Sequence, residues 1–214
     1  MHRLTNNKKQ YRFPILFILL SPLFLALSYV EEALMPNQFT VENTSKLYLL
    51  GSTNVNTFRC DCMEQFSTYS MKMTKAESGQ SMTFSDTKLR IPSSRFDCGN
   101  RIMNKDMFET LKGDKYPNIQ IELIDAVEVG GKKLDDSANW APMKATTAIT
   151  IAGVRKVVKM DVQGKKIAQN RYQFKGNKGL NLSDYSLDPP SPMMGLVQVN
   201  DVITIHLDLS VKVI

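Results

Sequence analysis

Val202-Ile-Thr-Ile-His-Leu-Asp-Leu-Ser-Val-Lys-Val213 closes the chain. Ile203, Ile205, Leu207, Leu209, Val211 and Val213 share one parity, while Val202, Thr204, His206, Asp208, Ser210 and Lys212 share the other. Successive side chains of a strand point to opposite faces, so this spacing predicts a long β-strand with one apolar and one wet face. The same alternation occurs at Ile119, Ile121 and Leu123, opposite Gln120 and Glu122. It is weaker at Thr147, Ile149 and Ile151 and at Tyr172 and Phe174. Residues 45–62 and 82–91 also read as strands, their parity blurred by bulges. Gly130-Gly131, Ala152-Gly153 and Gly176-Asn177 read as the turns between strands. Strands at hairpin spacing indicate an all-β sandwich or barrel rather than alternating β and α units.

One segment departs from that period. Asn104-Lys-Asp-Met-Phe-Glu-Thr-Leu-Lys-Gly113 has Met103, Met107 and Leu111 four apart, with Phe108 beside them and Gly113 as a stop. This predicts an amphipathic helix of about two turns, capped by an Asn. Its apolar face needs cover, which a position across the open end of a barrel supplies.

The first residues set the compartment. Arg3, Lys8, Lys9 and Arg12, with no acid among them, precede an apolar run from Phe13 to Ser28. Small residues at Ala26-Leu27-Ser28 complete the pattern of a secretory signal peptide. The run falls short of the roughly 20 residues that span a bilayer, and Pro14 and Pro22 interrupt it; a retained anchor is the alternative. No Cys near residue 28 offers a lipidation site. The expected organisation is therefore a signal peptide at 1–28, a leader without sustained period at 29–44, and one barrel domain at 45–214. The expected location is periplasmic or secreted, or membrane-anchored if the signal is retained.

The full chain of 214 residues is 43% hydrophobic and 22% charged, which suits one globular domain. Its formal charge is +6, but residues 1–28 hold four of the 27 basic residues and none of the 21 acidic ones, leaving +2 after export. A nearly neutral domain gives no electrostatic case for nucleic acid. Lys132-Lys133 and Lys165-Lys166 each follow glycine closely. They read as solvated hairpin turns in preference to a patch for anionic headgroups at a membrane surface.

The residue types argue against catalysis. Beyond the signal, His206 is the single histidine, and it shares the wet face with Thr204, Asp208 and Ser210. Ser-His-Asp and Cys-His schemes need a histidine held by an orienting partner. The chain has no Gly-rich phosphate loop, His-Glu-x-x-His motif or nucleophile elbow. Asp135-Asp136, Asp184 and Asp188 read as solvated loop acids. Cys60, Cys62 and Cys98 with His206 could offer zinc three sulfurs and a nitrogen, but Cys-x-Cys puts two thiols on one side of a strand rather than in a turn. In an oxidising compartment a disulfide with one thiol left over is the preferred reading. No cofactor, metal or catalytic residue is expected.

Several stretches carry a family resemblance. They are Gly51-Ser-Thr-Asn-Val-Asn-Thr-Phe-Arg-Cys60, Phe96-Asp-Cys-Gly-Asn100, Met103 to Lys112 with Lys115-Tyr-Pro-Asn-Ile119, Ile149-Thr-Ile-Ala-Gly-Val-Arg-Lys156, Asp184-Tyr-Ser-Leu-Asp-Pro-Pro190, and Pro192 to Ile205. In this order and spacing the chain resembles the YceI-like, polyisoprenoid-binding family over residues 45–214. The resemblance implies an eight-stranded antiparallel, lipocalin-like barrel with a short helix near one end. It also implies an isoprenoid-type ligand, a polyprenyl chain or isoprenoid quinone, and no catalytic residue. The paired cysteines and an insertion around Lys132–Met143 containing Trp140 depart from plainer members, and the insertion could cover a barrel mouth. The family-like stretch ending at Cys60, with Cys98 just before the helix, favours a Cys60–Cys98 bond; Cys62–Cys98 is the competitor.

A barrel of about eight strands is wide enough to be filled by its own side chains or to hold one slender ligand. By parity, Ile119, Ile121, Leu123, Ile149, Ile151, Phe174, Ile203, Ile205, Leu207, Leu209 and Val211 are the expected cavity lining. Parity does not separate a lined cavity from a solid core. The alternative is therefore a filled barrel acting as an envelope interaction or structural module.

Overall fold

The computed structural model describes residues 35–214 apart from 67, 77–78, 137–138 and 193. The expected signal peptide at 1–28 and residues 29–34 of the expected leader lie outside the described residues. Within them the order is β1 (Met35–Val41), β2 (Lys46–Ser52), β3 (Thr57–Cys62), β4 (Thr68–Lys75), β5 (Ser81–Ser85), β6 (Lys88–Pro92), β7 (Phe96–Asp97), α1 (Arg101–Thr110), β8 (Asn118–Glu128), β9 (Ala141–Ile151), β10 (Val154–Ala168), β11 (Arg171–Asn181) and β12 (Val202–Val213).

Every ladder is antiparallel, and β1, β4, β5, β8, β9, β10, β11 and β12 form a ring closed by β12 pairing with β1. The remaining strands branch at one end of the ring: β2, β3 and β7 run outward from β12, and β6 pairs with β8. The barrel is therefore antiparallel and lipocalin-like but not regular. β12 makes this possible by changing partner along its length. It pairs with β2 from Thr204 to Asp208 and with β1 from Val211 to Val213. At the change of partner, Ser45 Oγ accepts from the Ser210 N–H at 2.9 Å and donates to the Ser210 carbonyl at 3.3 Å. That contact satisfies backbone groups the ladder leaves free. It also buries Ser210, the exception on the wet face of β12.

Residues 35–41, read as leader, are a strand. Their sequence, Met-Pro-Asn-Gln-Phe-Thr-Val, sets Met35, Phe39 and Val41 on one parity but breaks the alternation at Asn37, and partners on both sides hold the extended state. Pro36 is tolerated because β1 has only β4 as a neighbour there; the contact with β12 begins at Phe39. Gly176 and the Lys165-Lys166 pair also differ from the sequence expectation, lying inside strands rather than in turns. Gly176 stands where β10 crowds β11; a β-carbon there would come within 3.1 Å of Asp161 O and Val162 Cγ2. Ala152-Gly153 is a hairpin turn as expected, with φ of 48° and 81°.

The helix is longer than expected and starts earlier. Its cap is Asn100, whose side chain accepts from Met103 N at 2.9 Å, and not Asn104. Asn104 lies within α1, where its side chain accepts from Cys98 N at 2.6 Å and donates to Asp97 Oδ1 at 3.1 Å. These two bonds tie the helix to β7. The Gly99 N–H and the Asn104 amide hold the Asp97 carboxyl below the usual carboxylate range.

Inside the ring the apolar side chains form two clusters. The larger contains Leu47, Leu49, Ile91, Ile119, Ile149, Ile203 and Ile205 with the Cys60–Cys98 pair. The smaller, at the opposite end, is Met82, Ala126 and Met143 packed with Met73, Phe84, Leu134, Val162 and Phe174. A register shift in β8 between Leu123 and Asp125 separates them. It reverses the inward parity of β8, so Ala126 rather than Asp125 is buried.

Candidate functional site: an apolar cavity

The end of the barrel that carries α1 is splayed. β10 and β11 are bonded only from Val162–Gly176 to their turn, leaving Val154–Asp161 without a β11 partner. A short 3-10 turn at Ser183–Tyr185 contacts both strands and fills the gap. The Ser183 N–H and hydroxyl both donate to the Asp201 carboxylate, at 2.8 and 2.6 Å, and hold it below its ordinary pKa. On the other side, β3 meets β7 through two register positions, Asp61–Asp97 and Cys62–Phe96. There the Cys60–Cys98 disulfide joins the wall to the segment leading into α1.

Splaying leaves a cavity of about 630 Å³. Its inner wall is Leu49, Ile91, Ile119, Ile149, Ile151, Ile203 and Ile205, with Met103, Met107 and Leu111 closing it from the helix side. Polar lining residues belong to the rim: Thr53, Asn56, Thr57 and Arg59 around the β2–β3 turn, Asn100, Asp106 and Thr110 at α1, and Asn181 at the end of β11. Gly51 is needed in this wall because a β-carbon would run into Phe58 and Ile203. None of the smaller cluster lines the cavity; it packs the opposite end of the barrel, the barrel's floor.

Tyr185, from the wedge between β10 and β11, also lines the cavity and is 1% exposed. Its hydroxyl has no hydrogen-bond partner in the structure. Burial, then the neighbouring Asp184 charge, pushes its phenol up to about 12.

Of the residues expected from parity, Ile119, Ile149, Ile151, Ile203 and Ile205 line the cavity together. The other six stand elsewhere. Ile121 is buried in the larger cluster and Leu207 packs on its edge, while Phe174 belongs to the floor. Leu123 sits half-buried at the β8 bulge, and Leu209 and Val211 are half-buried beyond Leu207. Inward parity holds along β9 and β12, and along β8 up to its bulge, but the cavity lies only at the splayed end. Sequence reasoning places the Met103, Met107 and Leu111 face across an open barrel end without counting it as lining, and misses Leu49, Ile91, Tyr185, Pro190, Pro192, Val197 and Val199. Those loop residues have no period to read.

His206 is on the outer face, stacked on Tyr48 with ring centroids 4.7 Å apart; the Arg59 guanidinium lies 3.6 Å from the same ring and pairs with Asp61. Cys62 is the free thiol, and burial pushes its pKa up. Among the described residues no three of His, Cys, Asp and Glu are grouped to hold a metal. The segment around Lys132–Met143 lies at the floor end rather than at the mouth. Leu134 packs into the floor, Asp135 pairs with Lys166 at 3.2 Å, and Lys175 lies 5.2 Å from the Trp140 ring.

A model of the YceI-like domain matches residues 38–211. The chain belongs to the YceI-like family. Two solved structures share this YceI-like fold at low identity. One is BcnA from Burkholderia cenocepacia, with a TM-score of 0.56 at 15% identity, covering 78% of this chain and 95% of that one. The other is a polyisoprenoid binding domain from Saccharophagus degradans implicated in plant cell wall breakdown, with a TM-score of 0.57 at 13% identity, covering 81% and 97%. Comparison with curated proteins gives no match.

Proposed function

We propose that this YceI-like protein is an exported, non-catalytic binding protein that holds the hydrocarbon chain of an isoprenoid-type lipid, a polyprenyl chain or isoprenoid quinone. The cavity carries this reading: apolar on its inner wall, with its polar lining residues confined to the rim, beside aliphatic ones. A slender chain with a polar end suits that arrangement. A water-sized group takes roughly 30 Å³ of liquid volume and a methylene is of similar size, so the space holds about twenty carbons, or about four isoprene units. At ~0.8 kcal/mol per buried methylene the gross gain is roughly 16 kcal/mol. Association and ordering costs of about 4–15 kcal/mol offset part of it, leaving a net gain of roughly 1–12 kcal/mol without any charged contact. The family and the polyisoprenoid-binding neighbour support a lipid ligand. The Cys60–Cys98 disulfide supports a compartment outside the cytosol.

The test is mass spectrometry of lipids extracted from the protein purified from its own cell envelope, with N-terminal sequencing of the same sample. The expected result is a stoichiometric isoprenoid and a chain starting near Tyr29. A protein that carries no lipid and takes up no added geranylgeraniol refutes the ligand reading. An intact Met1 in soluble envelope protein refutes cleavage.

A further inference from the structure

The rim of the cavity exposes large aliphatic side chains. Val55, at the β2–β3 turn, is 67% exposed, and Ile102, in the first turn of α1, is 73% exposed; both line the opening. Leu196 is 73% exposed and Met194 105%, on a loop whose Pro190, Pro192, Val197 and Val199 line the same cavity. Three segments distant in sequence thus converge on one mouth, and each turns apolar side chains to solvent. Monomeric proteins rarely leave such a patch without a partner.

These side chains are held in place. Asn54 joins the β2–β3 turn to the Leu196 loop by three hydrogen bonds. Its N–H donates to Gln198 O at 3.0 Å, its amide donates to Leu196 O at 3.1 Å, and its Oδ1 accepts from Gln198 N at 2.9 Å. Asn200 adds bonds to Ser52 through its N–H at 2.8 Å and its amide at 2.9 Å. The helix side is fixed by the Cys60–Cys98 disulfide and the Asn104 bonds to β7. The exposure therefore belongs to a framed surface.

We propose that this rim docks on a phospholipid bilayer, so that the mouth opens onto hydrocarbon. The inference rests on the lipid-binding reading. A hydrocarbon chain leaving the cavity through water would expose each buried methylene in turn. Apolar residues around the opening remove that exposure by placing the rim in the membrane. The composition fits a bilayer better than a protein partner. The four residues are aliphatic, whereas protein hot spots favour Trp, Tyr and Arg. The charges nearest them balance: Arg59 is paired with Asp61 and Lys105 with Glu109, and α1 carries one further cation, Arg101, and one further acid, Asp106. A zwitterionic surface is sufficient, and docking is insensitive to salt.

The test labels the full chain with an environment-sensitive fluorophore at Val55→Cys or, at the β10–β11 turn on the floor end, at Gln169→Cys, each with Cys62→Ser. Phosphatidylcholine vesicles carrying spin-labelled acyl chains serve as the quencher. Any membrane affinity of the N-terminal segment is common to both chains. Quenching at position 55 well above that at 169 is the expected result; equal quenching, or none, overturns the proposal. In addition, the double variant Met194→Asp and Leu196→Asp, neither residue lining the cavity, keeps its geranylgeraniol load but passes it to vesicles at least about tenfold more slowly. An unchanged transfer rate overturns the proposal, as does sedimentation showing a mouth-to-mouth dimer that hides position 55. If no geranylgeraniol loads at all, the ligand reading fails, and the quenching comparison still decides the docking.

Discussion

Replacing Cys60 and Cys98 together by Ala removes the one covalent tie across the weakest part of the wall. The bond spans a sequence separation of 38, and Cys60 is 0% exposed. In the chain-entropy model a loop of this size contributes about 4 kcal/mol by restricting the unfolded chain. For a domain of this length each kcal/mol moves the thermal midpoint by roughly 2–4 °C, so the variant should melt about 8–16 °C lower. The loss is not absorbed locally, because β3 and β7 share only two register positions and α1 hangs from that junction. The assay is thermal unfolding followed by circular dichroism, with and without reductant. The native chain should fall to the variant's midpoint in reductant, and the variant should not respond. A variant within about 2 °C of the native midpoint would refute the reasoning, since the bond would then constrain nothing the ladder leaves loose.

Tyr185→Phe should stabilise the fold by about 1–3 kcal/mol, measured by urea unfolding, because it deletes a buried hydroxyl that has no partner. The native phenol is held protonated, its pKa raised from 10.0 to about 12, so its stabilisation is full below pH 10 and is lost as pH rises through 12. Thermal midpoints across that window should fall less in the Phe variant; parallel curves would sink the assignment. Ile149→Asp places a charge among Ile119, Ile151 and Ile203 at a cost of several kcal/mol and should abolish co-purified lipid, while His206→Ala on the outer face should leave the lipid load unchanged. Cys62 should react with iodoacetamide more slowly than an ordinary thiol, and its rate should level off at a higher pH, because burial raises its pKa.

The architecture was legible where one strand face is apolar and the other wet, as in β8, β9 and β12. It was illegible in β1, which is extended only because β4 and β12 hold it. It was obscured in β4, where Tyr69, Met71 and Met73 alternate but methionine carries little strand preference. The five isoleucines of the cavity wall could be read from parity because the period is local. Which inward residues face space and which face other side chains could not. That depends on where β10 parts from β11 and on the helix and loop that move into the opening, and these are contacts between distant parts of the chain.

The uneven lining of the cavity gives the molecule a direction. Its inner wall is leucine and isoleucine from β2, β6, β8, β9 and β12, whereas its polar lining gathers at the β2–β3 turn and around α1 and the end of β11. On the proposed lipid reading an amphiphile enters tail first, with its polar end left at the rim. Beyond the cavity the barrel is packed by Met73, Met82 and Met143 with Phe84 and Phe174. Methionine is unbranched and repacks readily, so this far end is the part of the interior best able to yield to a longer tail.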